Sequence, residues 1–278
     1  MMIAAVGAFA LMDAAIKHLV QQHSPVQVAF LRGATSLPLV LLVLAMTQRM
    51  GDLKPVRWPL HLLRGVLSVG MLWLFVYAVQ TLSLADAYSI YLSAPLLITA
   101  LSVPLLGEHV DWRRWAAIAV GLAGVLVILR PTAASLITLG GLAAFASAAL
   151  YAMNAITIRV LTRTDTSAAM VFWTMFLIAG IAGFASIPVW TPLHTDEIGW
   201  VIALGITGAA GQYFITQAFR FAPASVVAPF EYTALLWGIG LDWILWSVLP
   251  HSRMFAGASL VVASGLYLIF KERQRRER

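Results

Sequence analysis

Carboxylates lie well inside long apolar stretches of this sequence at Asp13, Glu231 and Asp242. A charged group at the centre of a bilayer costs about 2.5 to 3.5 kcal/mol on insertion scales, so such residues mark solute pathways, proton relays or buried ion pairs. Asp13 stands four residues before Lys17, a spacing that puts both on one helical face and predicts an ion pair. Glu231 has no cation at helical spacing; a carboxylate so placed could carry a proton or hold a substrate ammonium group. Asp242 falls nearer the outer third of its stretch and ranks behind it. The cation Arg32 could bind a substrate carboxylate, snorkel to lipid headgroups or join a lattice with Asp13.

Aromatic and amide residues form a second pattern. Trp73, Tyr77 and Gln80 follow at spacings of four and three, which sets them on one face of a helix, and Gln212, Tyr213, Thr216 and Gln217 form a similar face later on. Tyr88 and Tyr91 precede Pro95 and Pro104, Glu231 and Tyr232 follow Pro229, and Tyr151 lies close to Asn154. A proline inside a helix frees a backbone carbonyl and bends the chain, which suits a ligand or a hinge as well as a static kink. Polar groups are tolerated in a membrane where they face the protein interior or a water-filled cavity. The expected substrate-binding set is therefore Trp73, Tyr77, Gln80, Tyr88, Tyr91, Tyr151, Asn154, Gln212, Tyr213, Gln217, Glu231 and Tyr232, with Asp13, Lys17 and Glu231 as proton or ion-pair candidates. An interfacial aromatic belt is the competing reading for any one of the rings.

Enzyme chemistry has little to stand on. Cysteine is absent, which excludes disulfides, thiolate metal sites and a cysteine nucleophile. The six histidines fall mostly near the ends of apolar stretches, with no HExxH, no Gly-rich phosphate loop and no GxSxG. No catalytic residue, metal or cofactor is expected.

The elements that must position these groups follow from composition. Of 278 residues, 61% are hydrophobic and 11% charged, with a mean hydropathy of +0.87, against roughly 25% charged in soluble domains. About 20 apolar residues cross a bilayer as a helix, and ten such spans are expected, near 2–20, 27–47, 61–80, 84–106, 112–130, 136–158, 168–190, 198–219, 225–248 and 254–270. The connections are too short for a soluble domain. The net charge of +6 is explained by orientation rather than by nucleic acid, which is not an expected partner. Fourteen Lys and Arg fall on the side of the chain ends and three on the other, so both termini are expected in the cytoplasm.

The second half of the chain echoes the first at an offset near 140: Gly65 meets Gly205, Ala78 meets Ala218, Trp73 meets Tyr213, Tyr77 meets Gln217 and Tyr91 meets Glu231. Five spans per copy is odd, so the copies, 1–133 and 134–278, must insert in opposite orientations. The predicted fold is an all-α polytopic membrane protein of ten transmembrane helices in two inverted five-helix repeats. Small residues in spans five and ten predict close helix seams within the scaffold or in a homodimer.

The stretch from Ser83 to Ile128, with Ala85, Ala87, Pro95, the Gly107-Glu108 pair, Gly121 and Gly124, resembles the EamA domain of the drug/metabolite transporter superfamily. The second copy departs from the pattern, with Leu235 at the position of Pro95 and Val248 near the second glutamate; Glu108 is expected to make a loop contact with Arg113 or Arg114. The resemblance implies an inverted-repeat carrier in a bacterial inner membrane, and the aromatic lining is similar to that expected of YddG-type amino-acid exporters. Export of aromatic and other neutral amino acids by alternating access is the function expected, with membrane lipid and a small-molecule substrate as partners. A carrier of phosphorylated or nucleotide-linked sugars would need cations near the midplane, whereas Lys17, Arg32 and Arg159 lie toward span ends. A membrane-embedded lipid-modifying enzyme lacks its catalytic groups here, and a receptor or scaffold predicts no solute flux.

Overall fold

The computed structural model describes residues 1–46, 50–82, 84–129, 138–246, 255–264 and 266–267. The elements among these residues are helices joined by short turns: α1 Met2–Leu19, α2 Pro25–Met46, α3 Trp58–Thr81, α4 Leu84–Tyr91, α5 Ala94–Leu106, α6 Trp112–Leu129, α7 Leu139–Leu161, α8 Ser167–Ser186, α9 Ile198–Phe221, α10 Ala224–Val227 and α11 Ala234–Trp246. A further apolar helix covers Phe255–Ser264, and among the described residues eight helical segments are long and apolar enough to cross a membrane. Helices are the only open-ended solution in hydrocarbon, because every backbone N–H and C=O must find its partner within the segment.

Two spans expected to be continuous are broken. The chain leaves helical geometry at Leu92 and Ser93, between α4 and α5. Pro95 sits in the first turn of α5, where its missing N–H costs nothing. The second break is longer: α10 has four residues, Ala228–Thr233 is a 3-10 helix with Pro229 in its first turn, and α11 follows. Tighter winding changes which backbone groups are paired and turns side chains off the α-helical stripe.

The chain divides into two compact units, one of Met1–Val69 with Thr157–Phe221 and one of Gly70–Ile156 with Ala222–Arg278. In the first, α9 packs against α1, α2 and α8, and α2 packs against α8. Its core joins Met12, Ala15 and Leu19 of α1 to Val28 and Leu31 of α2 and Val201 and Leu204 of α9. Gly33 marks the closest approach: a Cβ there would stand 2.8 Å from the backbone N of Ala179 and the carbonyl O of Met175, the close backbone packing that small residues permit in membranes.

Polar clasps close both ends of this unit. At one, His23 Nε2 lies 2.9 Å from Glu197 Oε1, while Gln27 Nε2 donates to the Thr191 carbonyl at 2.7 Å and the Thr191 N–H donates back to Gln27 Oε1 at 2.9 Å. At the other, Asp165 Oδ1 accepts from His61 Nε2 and from the Val56 N–H, each at 2.9 Å, and Thr164 donates to Oδ2 at 2.7 Å. Burial pushes the Asp165 carboxyl up, but these hydrogen bonds and the His61 ring outweigh it and hold the group below the usual carboxylate range.

The second unit has two apolar clusters. One sets Ala78 against Ala87, Ile90, Ala143 and Ala144; the other gathers Leu92, Ile118, Val125, Tyr232 and Val261. Gly107, at φ 69°, ends α5 in the left-handed conformation that glycine adopts without steric cost, and the N–H groups of Gly107 and Glu108 turn back onto the carbonyls of Val103 and Ser102.

Candidate functional site

The break between α4 and α5 and the 3-10 segment 228–233 bring their side chains to the same residue, Tyr151 of α7. Tyr151 Oη donates to Glu231 Oε1 at 3.1 Å. The Tyr91 ring lies 5.8 Å from the Tyr151 ring, at 47°. Tyr91 and Glu231 are the pair related by the 140-residue echo, so repeat-equivalent positions meet here, one as a ring and one as a carboxylate. Phe75 of α3 completes the wall, edge-on to Tyr88 at 5.2 Å and to Tyr91 at 5.1 Å. Tyr91 Oη approaches Met71 Sδ at 3.7 Å, and Ser147 Oγ donates to the Met71 carbonyl at 2.8 Å, tying α7 to α3.

The local sequence explains this assembly. Ser147, Tyr151 and Asn154 follow at spacings of four and three, one face of α7, and Met71 and Phe75 are one turn apart on α3. Glu231 is buried at 7% exposure, and among the described residues its hydrogen-bond partner is the Tyr151 phenol rather than a cation. A carboxyl acceptor beside the Tyr151 hydroxyl, with Tyr91, Phe75 and Tyr88 running on ring to ring from Tyr151, can take an ammonium or N–H donor near aromatic surface, because ring faces attract cations and stack on other rings.

The other expected residues divide between the units. Trp73 and Tyr77 of the second unit are exposed, at 58% and 43%, on the face of α3 opposite Phe75. Asn154 is buried on the Tyr151 face. Tyr232 is fully buried among Leu92, Ile118, Val125 and Val261, packed on Gly121, and its hydroxyl has no hydrogen-bond partner among the described residues. In the first unit Gln212 is buried, Tyr213 is exposed, and Gln217 is held on both sides: its Nε2 donates to Tyr213 Oη at 2.8 Å and its Oε1 accepts from Ser167 Oγ at 3.0 Å. Asp13 is exposed and attracts Arg32, while Lys17 lies exposed near the end of α1. The side chains of Gln80 and Asp242 lie outside the described residues.

Phe75 and Met71 were not among the expected residues. Their one sequence signal is the i, i+4 spacing, and the neighbouring Trp73-Tyr77 face is richer in polar atoms. Glu108 also behaves differently from the expected loop contact. Its Oε1 accepts from the Ala224 N–H at 2.7 Å, and its Oε2 from the Ser225 N–H at 3.0 Å and Ser225 Oγ at 2.6 Å, satisfying donors at the start of α10 that have no partner within that helix. Arg114 reaches the same Ser225 hydroxyl at 3.2 Å. Among the described residues no group of three His, Cys, Asp or Glu could hold a metal ion.

A polytopic helical chain with interrupted spans and an intramembrane carboxylate defines a membrane transporter, and comparison with known proteins gives its family. Residues 1–130 and 138–270 match the EamA-like transporter family, within the drug/metabolite transporter superfamily, and the chain belongs to it. It is 27% identical to the pseudopaline exporter CntI of Pseudomonas aeruginosa, over 94% of this chain and 91% of that one. It is 25% identical to an S-adenosylmethionine uptake transporter of Rickettsia conorii (96% and 90% covered) and 27% identical to a riboflavin transporter of Vibrio cholerae (95% and 92%). A solved crystal structure at 19% identity superposes with a TM-score of 0.81 over 99% of this chain and 98% of its own, a likeness of fold.

Proposed function

We propose that this transporter exports amino acids, aromatic and other neutral ones, from the bacterial cytoplasm, and that its ten spans work by alternating access as two inverted repeats with both termini inside. The reading rests on Glu231: a buried carboxyl hydrogen-bonded by Tyr151, in an interrupted span, with Tyr91, Phe75 and Tyr88 continuing the aromatic run from the Tyr151 ring. That arrangement offers an acceptor for the ammonium group and aromatic surface for the side chain. Transporters place substrate sites at such interruptions, where backbone and side-chain groups are both available. The two stretches matched to the family, 1–130 and 138–270, support the repeat boundary near residue 133. The relatives named above carry chemically different solutes, in both directions, so cargo is set by the lining residues rather than by the fold.

The test is a panel of labelled solutes in vesicles containing the purified protein, with and without a pH gradient: phenylalanine, tryptophan, leucine, riboflavin and S-adenosylmethionine. Amino-acid flux is expected, falling about tenfold or more in Glu231→Gln and by a smaller factor in Tyr151→Phe, in line with losing a charged or a neutral hydrogen bond. Flux of riboflavin or S-adenosylmethionine without any amino acid overturns the substrate assignment. An unaltered rate and pH profile in Glu231→Gln removes Glu231 from both binding and proton coupling.

A further inference from the structure

The 3-10 segment that carries Glu231 runs for six residues, Ala228–Thr233, with Pro229 in its first turn. Tight winding seldom persists beyond three or four residues, because its hydrogen bonds are poorly aligned and its side chains eclipse. Pro229 also withdraws one N–H, so the segment's own hydrogen bonds do not fix its pitch. From Ala228 to Glu231 a 3-10 helix turns about 360° and an α-helix about 300°; slippage between the two swings the Glu231 side chain about 60° around the axis and shifts it about 1.5 Å along it. Whether Glu231 meets Tyr151 therefore depends on what holds the ends of the segment.

One end is held by packing, since the Tyr232 ring is buried on Gly121 among Leu92, Ile118, Val125 and Val261. The other end is held by Glu108. The N–H groups of Val226 and Val227 both bond to the Pro223 carbonyl, at 3.1 and 3.2 Å, which leaves the N–H groups of Ala224 and Ser225, two fully buried residues, as the open donors of α10. Glu108 accepts one on each carboxylate oxygen, and its Oε2 accepts the Ser225 hydroxyl as well. Arg114 Nη1 donates to that hydroxyl oxygen, which directs the Ser225 proton to Glu108. The Ala228 N–H bonds back to the Ala224 carbonyl, so the winding passes from the clamped residues into the 3-10 segment. Helix α5 begins just after the break that follows Tyr91, packs on α10 and the 3-10 segment, and turns at Gly107 to present Glu108. The two interrupted spans are thus tied twice, through Tyr151 and through Glu108.

Resting on the reading of Glu231 as the carboxyl that binds the solute, we propose that Glu108 is a positioning residue for that site: by capping α10 it keeps the 3-10 segment wound and Glu231 aimed at Tyr151. Glu108 acts without touching the solute. Its loss leaves two buried donors unsatisfied on a helix of four residues, too short to hold its shape alone, and the bearing of Glu231 loosens with it.

The probe is L-phenylalanine, measured by calorimetry on the purified full chain and by transport KM in vesicles, in a double-mutant cycle of Glu108→Ala with Glu231→Gln. Glu108→Ala is expected to weaken binding and raise KM about tenfold, and Glu108→Gln, which keeps one acceptor oxygen, about threefold. An effect that runs through Glu231 shrinks below about twofold in the Glu231→Gln background. Tyr151→Phe replaces Glu231→Gln in the cycle if the latter binds too weakly to measure, and Glu108→Gln replaces Glu108→Ala if the latter does not fold, with the same reading. If Glu108 only braces the fold, its variants lower the melting temperature and their loss multiplies in full with that of Glu231→Gln, which overturns the proposal; so does an unchanged KM in Glu108→Ala. A wild type that carries riboflavin and no amino acid overturns the amino-acid reading alone, and the cycle run with riboflavin then decides the role of Glu108. Flux of neither overturns both.

Discussion

Tyr232 and Glu231 are neighbours in sequence with opposite situations. One turns into the apolar cluster of Leu92, Ile118, Val125 and Val261, and the other turns toward Tyr151. The Tyr232 hydroxyl is buried without a partner, a group whose desolvation costs more than it returns. Tyr232→Phe is therefore expected to leave solute flux unchanged and to keep or raise the melting temperature in detergent; a loss of flux would put Tyr232 back in the site. Asp165 is the reverse case, a carboxylate satisfied by His61, Thr164 and the Val56 N–H and held below the usual range despite burial. Its contribution to stability is present above the unfolded value of about 3.9 and is lost only as pH falls through the lower folded value. Asp165→Asn should cost about 1 to 3 kcal/mol at about pH 8, where histidine is neutral, and the Asp165 part of that gap is lost as pH falls below about 4. Melting curves across that range check the sign; a gap that widens in acid would contradict it.

At the scale of elements, the seam of α2 on α8 depends on Gly33, because the nearest atoms to any added side chain are backbone and cannot rotate away. Gly33→Ala is expected to destabilise the first unit by about 1 to 3 kcal/mol, the usual cost of overpacking. Gly180→Ala, where a Cβ meets nothing within 4 Å, serves as the control and should be neutral or slightly stabilising. Thermal unfolding followed by gel filtration separates the two; equal effects would mean the seam yields. The helices themselves were legible as apolar runs, and prolines correctly flagged the two irregular spans. The form of the irregularity was not legible. Pro95 begins a new helix rather than bending an old one, and Pro229 opens a 3-10 segment, because whether a freed carbonyl is tolerated depends on the neighbours that satisfy it.

At the scale of the whole molecule, the compact units cut across the sequence repeat: α1 and α2 from the first half combine with α8 and α9 from the second, and α4 to α6 combine with the segments after Phe221. Orientation is open to direct test because the chain has no cysteine. Single cysteines at Gly51 and at His194, two loop positions at opposite ends of the first unit, are expected to react with an impermeant maleimide from the cytoplasmic side and the outer side respectively. Labelling of both from one side would exclude the inverted arrangement.

Hydropathy was sufficient to identify a helical membrane protein, because a bilayer imposes length and apolarity on each segment separately, and the motifs of residues 83–128 carried the resemblance to its family. Those are local constraints, and sequence carries local constraints openly. The partners of Tyr151, the burial of Tyr232 and the capping role of Glu108 depend on helix rotation and on distances between segments far apart in the chain. Only the packed tertiary structure decides these, since within hydrocarbon the hydrophobic effect does not choose one helix face over another and van der Waals fit and hydrogen bonds must do so.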